Sequence, residues 1–172
     1  MGAFSFSVNS ATNWLMIVLS LVGFGIQGLT EEVICRGYIQ TGVIAHKGMV
    51  WGVLVNSIIF VLLHAMNPGM TFLPILNLFI FAVVFSLLYL LTDNIWIVGA
   101  AHTAWNFLLA PGLGIKVSGN RFVTSILEGT SIVGKELLNG AAFGAEGSIL
   151  TTIFGILACI YMVQMTRKKN LY

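Results

Sequence analysis

The chain has 172 residues, of which 58% are hydrophobic and 8% charged, with a formal charge of +2. Soluble domains carry about 25% charged residues, so this composition cannot build a water-facing surface and reads as a polytopic membrane protein. The small net charge, with no basic stripe outside Arg167, Lys168 and Lys169, excludes nucleic acid as a partner.

The N-terminal MGAFSFSVNS has no basic n-region and no cleavage site, which argues against a removable signal peptide. Phe6 stands where a myristoylation pattern needs Ser or Thr. A spanning helix needs about 20 mostly apolar residues. The first candidate is 11–29, and its helix is expected to continue through Glu31 and Glu32 toward Gly42. The second, 48–66, stops at Asn67-Pro68-Gly69, a strong turn signal. The third, 72–91, carries no charge, and Asp93-Asn94 after it reads as a turn. The fourth, 94–110, closes at Pro111-Gly112, and the last, 147–166, runs straight into the basic cluster.

These stretches predict an all-α transmembrane bundle of about five spanning helices, forming a single membrane-embedded domain over 1–172. The connection 111–146 is Gly-rich and mixed in charge; its apolar pairs Ile126-Leu127, Ile132-Val133 and Leu137-Leu138 suggest a short interfacial helix or a lid. Positive charges flanking a span favour the cytoplasmic side, so a multi-pass protein of the cell membrane with its C-terminus inside is expected. Counting back puts the N-terminus outside and 36–47 inside, in agreement with Arg36 and Lys47; His46 beside Lys47 reads as solvated. The same count places Glu31 toward the inner end of its helix and His64 toward the outer end of its own. Cys35 and Cys159 lie in apolar segments and read as small buried hydrophobes. No CxxC or Cys/His cluster suggests a redox pair or a structural zinc site.

Charged side chains are rare inside spans and cost about 2.5–3.5 kcal/mol each at the bilayer centre on insertion scales. Glu31, Glu32 and Arg36 therefore need an explanation. Glu32 and Arg36 are four apart on a helix, share a face and can pair, with the arginine fork holding the carboxylate. Glu31 points about 100° away. The expected division is a paired, structural Glu32 and a free, reactive Glu31. His102 and Asn106 are again four apart, and His64 ends the second span. A lone histidine on an apolar helix usually packs and hydrogen-bonds, but three helices each bringing polar groups form a constellation. Asn56 and Asn77 are weaker cases and suit bonds between helices.

A Glu and a His can take a proton from water, and a second His with an Asn can donate to a developing oxyanion. Together they supply a hydrolase that attacks a carbonyl with water, needing no Ser or Cys nucleophile. Glu31, His64 and His102 could instead ligate zinc as a His₂Glu set, although the HExxH signature is absent.

At these residues a resemblance appears. EEVICR fits EExxxR, FVLLH fits FxxxH and HTAWN fits HxxxN, in that order on successive apolar helices. The chain resembles the CPBP family of intramembrane proteases, which includes the CAAX prenyl endopeptidases and bacteriocin-processing or self-immunity proteins. The resemblance implies that Glu31 and His64 activate the attacking water, that His102 and Asn106 form the oxyanion site, and that Glu32 and Arg36 hold the geometry. It also implies a glutamate-dependent reaction with no metal or other cofactor, and a peptide or membrane-protein substrate met in the lipid bilayer. Family members usually carry further membrane helices before the EE motif, where this chain has one span's worth. Two other readings use the same polar residues. One is a non-catalytic membrane scaffold or bacteriocin-immunity protein binding a peptide or partner through the same cavity. The other is a transporter or proton relay, disfavoured by size and by the lack of an inverted repeat.

Overall fold

The computed structural model describes residues 2–169. After a short strand, β1 (Phe4–Val8), the chain enters a helix, α1, that runs unbroken over Trp14–Lys47. Asn13 caps it by accepting from the Met16 N–H at 3.1 Å. At 34 residues it is about 51 Å long, well beyond the about 30 Å hydrocarbon core. Its stretch Val33–Gln40 has π-helical hydrogen bonding, a widening common at functional sites. The helix stops at Gly48, whose φ of +83° suits glycine, and the chain turns back as α2 (Met49–Leu63).

α3 (Phe72–Thr92) ends on Asp93 in the left-handed conformation, the turn expected there. α4 (Ile95–Phe107) starts at Asn94, which accepts from the Trp96 and Ile97 N–H groups, and finishes in a π-helical turn, Leu108–Gly112, around Pro111. The last helix, α6 (Ile149–Lys168), follows a four-residue α5 (Glu136–Asn139) and a 3₁₀ turn.

Two expectations change. The fold is mostly helical as expected, but the connection 111–146 also carries a strand, β2 (Leu127–Ser131), which pairs antiparallel with β1 from Val8↔Leu127 to Phe4↔Ser131. Among the described residues three helices are long and apolar enough to cross a membrane: α1, α3 and α6. Of the stretches expected to span at 48–66 and 94–110, the first forms a 15-residue helix that stops at Leu63, ahead of the Asn67-Pro68-Gly69 turn, and the second a 13-residue α-helix that runs on as a π-helical turn through Pro111. Leu15, Val18, Val22 and Ile26 of α1 and Ile153, Phe154, Leu157 and Ile160 of α6 lie exposed. Outward-facing apolar residues on long helices belong to a membrane protein.

Inside, helices approach closely at small residues, the usual packing in lipid. A methyl group placed on Gly99 of α4 would stand 2.9 Å from Leu29 Cδ1 of α1, and one on Gly28 would stand 3.0 Å from Thr103 Oγ1. Interhelical amides do the rest. Asn77 donates to the Glu146 and Ser148 carbonyls at 2.7 and 2.9 Å and accepts from Thr152 Oγ1 at 2.6 Å, tying α3 to the start of α6. Asn56 donates to Ser86 Oγ at 2.9 Å and Gln40 Oε1 at 3.4 Å, joining α1, α2 and α3.

Candidate active site

Depth along the helices brings the charged residues together. Glu31 lies 17 residues before the Gly48 turn and His64 lies 16 after it, so the antiparallel α1 and α2 carry them to nearly one level. The sequence count had set them at opposite ends because it closed the first span near residue 29. The helix that continues to Lys47 removes the conflict.

Glu32 and Arg36 form the expected pair: Arg36 Nη1 donates to Glu32 Oε1 at 3.0 Å, both side chains fully buried. Arg36 Nη2 donates to the Ala82 carbonyl at 3.0 Å, and the guanidinium lies over the rings of Phe60 and Phe85, 4.7 and 5.6 Å from their centroids. Glu32 Oε1 also accepts from His102 Nδ1 at 2.8 Å. That bond puts the Nδ1 proton toward Glu32 and turns Nε2 into the cavity. His64 is held in the same sense, its Nδ1 donating to the Phe60 carbonyl at 2.9 Å. Phe60 packs tilted against His64 and Phe85 stacks on His102, at 4.6 and 5.3 Å between centroids.

The two imidazoles thus aim Nε2 at one atom. Glu31 Oε2 stands 3.9 Å from His64 Nε2 and 3.9 Å from His102 Nε2. It is buried and, among the described residues, has no hydrogen-bond partner. The other oxygen is engaged: Gln27 Nε2 donates to Glu31 Oε1 at 2.7 Å, and Asn106 Nδ2 donates to Gln27 Oε1 at 3.3 Å. Glu31 is therefore free at one oxygen only. As a zinc set, the two 3.9 Å separations exceed the about 3.4 Å between donor atoms that share a tetrahedral zinc with bonds of 2.0–2.1 Å. Among the described residues no group of three or more His, Cys, Asp and Glu is arranged to hold a metal ion.

All of these groups except buried Glu32 and Arg36 line a cavity of about 480 Å³, walled by Phe60, Leu78, Phe81 and Phe85 and roofed by residues of the 111–146 connection. Glu146 fixes that roof, accepting from Trp105 Nε1 at 2.8 Å and from the Ser118 N–H. Gln27, Phe85 and Glu146 were not singled out from the sequence. Gln27 stands four residues before Glu31, on the same face, a spacing that could have pointed to it; Glu146 gives no such signal.

A family model, Type II CAAX prenyl endopeptidase Rce1-like, matches residues 12–108, more than half of the chain and a span that includes all seven fixed residues of the three motifs. The chain belongs to that family. No curated protein and no solved structure matches it. As an Rce1-like protein it is a membrane protein of the CAAX protease class, hydrolases of peptide bonds, which agrees with the resemblance carried by EExxxR, FxxxH and HxxxN. The matched span ends at the start of the π-helical turn, so the roof and α6 lie beyond the part shared with the Rce1-like model.

Proposed function

We propose that this Rce1-like protein is a glutamate-dependent intramembrane endopeptidase that cleaves a membrane-associated or leader-type peptide. The observation that carries the reading is the convergence of His64 Nε2 and His102 Nε2 on the unpartnered Glu31 Oε2. A water bonded to Glu31 Oε2 and His64 Nε2 loses a proton to this pair as its oxygen attacks the scissile carbonyl. The developing oxyanion accepts from Asn106 Nδ2, released from its long bond to Gln27, and from His102 Nε2 when that ring carries both protons. Glu32 supports the doubly protonated ring through Nδ1, and Arg36 holds Glu32 in place. Glu31 then passes its proton to the leaving amine. No step requires a metal.

The basic residues indicate orientation. His46 and Lys47 end α1, and Lys169 Nζ donates to the Leu91 carbonyl, which gathers Arg167, Lys168 and Lys169 at the end of α3. This end takes the cytoplasmic side. Glu31 is about 25 Å along α1 from Gly48, so the cavity and its roof open toward the opposite face, in a multi-pass arrangement within the bilayer.

The test is peptide cleavage by purified protein in liposomes, with Glu31→Gln and with a strong zinc chelator. Cleavage that Glu31→Gln abolishes and the chelator leaves intact supports the mechanism. Activity lost with chelator and restored by zinc would make Glu31, His64 and His102 metal ligands. The scaffold or immunity reading is supported instead by biological function that survives in both Glu31→Gln and His102→Gln.

A further inference from the structure

Beside the catalytic cavity lies a second pocket of about 390 Å³ with a different lining: Asn9, Arg121, Thr124, Ser125, Glu128 and Thr130. The two share Ala110 and Phe122 as common wall. Phe122 packs on Phe24 with ring centroids 5.0 Å apart, and Phe24 sits one turn of α1 before Gln27. One aromatic side chain thus separates an apolar chamber holding Glu31 from a polar one at its mouth.

The polar chamber is built and left open for contacts. Strand alternation turns Glu128 and Thr130 to the pocket face of β2, while Gly129 between them is buried against Ile115 and the Leu113 carbonyl. Among the described residues neither the Arg121 guanidinium nor the Glu128 carboxylate has a hydrogen-bond or ion-pair partner. The irregular segment 121–125 lines the same pocket. Its N–H groups donate to nothing among the described residues, and only its last carbonyl, of Ser125, accepts, from Asn9 Nδ2 at 2.9 Å and Thr12 Oγ1 at 3.0 Å. A run of unused main-chain groups flanked by two unpaired opposite charges is a surface for peptide backbone and polar side chains.

We propose that this pocket is a subsite for the hydrophilic flank of the substrate. The peptide's apolar part enters the Glu31 cavity, its backbone crosses at Phe122, and its polar part lies along 121–125, with Arg121 and Glu128 reading the charge of its side chains. The substrate class is then a peptide cut near a boundary between an apolar and a polar segment. This inference rests on the protease reading, so its test uses binding as well as cleavage.

Fluorescent peptides sharing one apolar segment are titrated into detergent-solubilised Glu31→Gln protein, with no flank or with a neutral, acidic or basic flank of a few residues. A neutral flank tightens binding, and N-methylation of its backbone removes that gain. Arg121→Ala weakens the acidic-flank peptide by about two- to fivefold, the scale of one exposed ion pair, and Glu128→Ala weakens the basic-flank peptide similarly. Lys135→Ala, a charge change outside the pocket, discriminates neither. Equal binding of flanked and flankless peptides, or Arg121 and Glu128 variants that behave like Lys135→Ala, overturns the subsite. Flank-dependent binding with no cleavage by the wild-type protein would keep the subsite and reject the protease; cleavage indifferent to the flank would do the reverse.

Discussion

Glu32 and His102, 70 residues apart in sequence, are joined by a 2.8 Å hydrogen bond to the same oxygen that receives Arg36. The carboxylate is the junction between the charged helix face of α1 and the histidine of α4. With Glu32 and Arg36 fully buried, neither charge has water to fall back on.

Glu32→Gln leaves the Arg36 cation uncompensated. Removing one partner of a buried pair costs about 3–5 kcal/mol, so the variant should unfold at markedly lower denaturant in detergent and lose activity through a misplaced His102. The double variant Glu32→Gln with Arg36→Met removes both charges and should recover much of the stability but none of the activity. Stability of the double variant no better than the single one would show that the pair is not the source of the cost.

Asn106 has two possible duties: donating to the oxyanion, or only holding Gln27 beneath Glu31. Loss of an oxyanion donor lowers kcat by about 10²–10³. Asn106→Ala should show that loss with KM little changed, whereas Gln27→Ala, which removes the bond to Glu31 Oε1 and frees the Asn106 amide, should lose less. Steady-state kinetics on one peptide decides it. Equal losses in the two variants would reduce Asn106 to a positioning residue.

The contact of α1 with α4 sets where Glu31 stands relative to His102. A methyl at Gly99 already comes 2.9 Å from Leu29 Cδ1 and 3.2 Å from its Cα, so Gly99→Val should wedge the helices apart, lowering both thermal stability and kcat. Gly23, also in α1, has nothing within 4 Å of its added Cβ. Gly23→Ala should therefore be neutral, or stabilising by about 0.5–1 kcal/mol through helix propensity. A thermal shift assay in detergent compares the two directly.

Asn77→Ala should loosen the α6 start. It strips the Glu146 carbonyl of its donor, leaves the Ser148 carbonyl only its bonds from Thr152 and leaves Thr152 Oγ1 only its long bond to that carbonyl, and an unsatisfied buried group costs about 1–3 kcal/mol. The roof over the cavity depends on Glu146, so limited proteolysis of 111–146 should speed up before the helices unfold. Unchanged cleavage in that segment would mean the roof holds without Asn77.

Much of the site was legible in the sequence because its pairs obey one helical spacing. Glu32–Arg36 and His102–Asn106 are four apart, and each pair does lie on one buried or cavity-facing side. Gln27–Glu31 and Phe60–His64 follow the same rule and make contact. Apolar composition and the Asn67-Pro68-Gly69 and Pro111 breaks likewise marked most helix limits. The β1–β2 pairing was not legible. Phe4-Ser5-Phe6-Ser7-Val8 alternates as a strand does, but Leu127–Ser131 does not, and the pairing of two five-residue strands about 120 residues apart is a long-range choice.

What the sequence determined by itself is chemistry and local geometry: a membrane-embedded helical chain, its motif residues, and which of them share a helix face. Those follow from hydrophobicity and the 3.6-residue period, which act within a few turns. What only the tertiary structure decided is convergence. That α1 runs on to Lys47 and so levels Glu31 with His64, that Glu32 reaches His102, that Gln27 links Asn106 to Glu31, and that Phe122 closes on Phe24 are all contacts between helices or across a loop. They depend on how far each helix extends and on how closely glycines let the helices approach, and no periodicity within one segment encodes that.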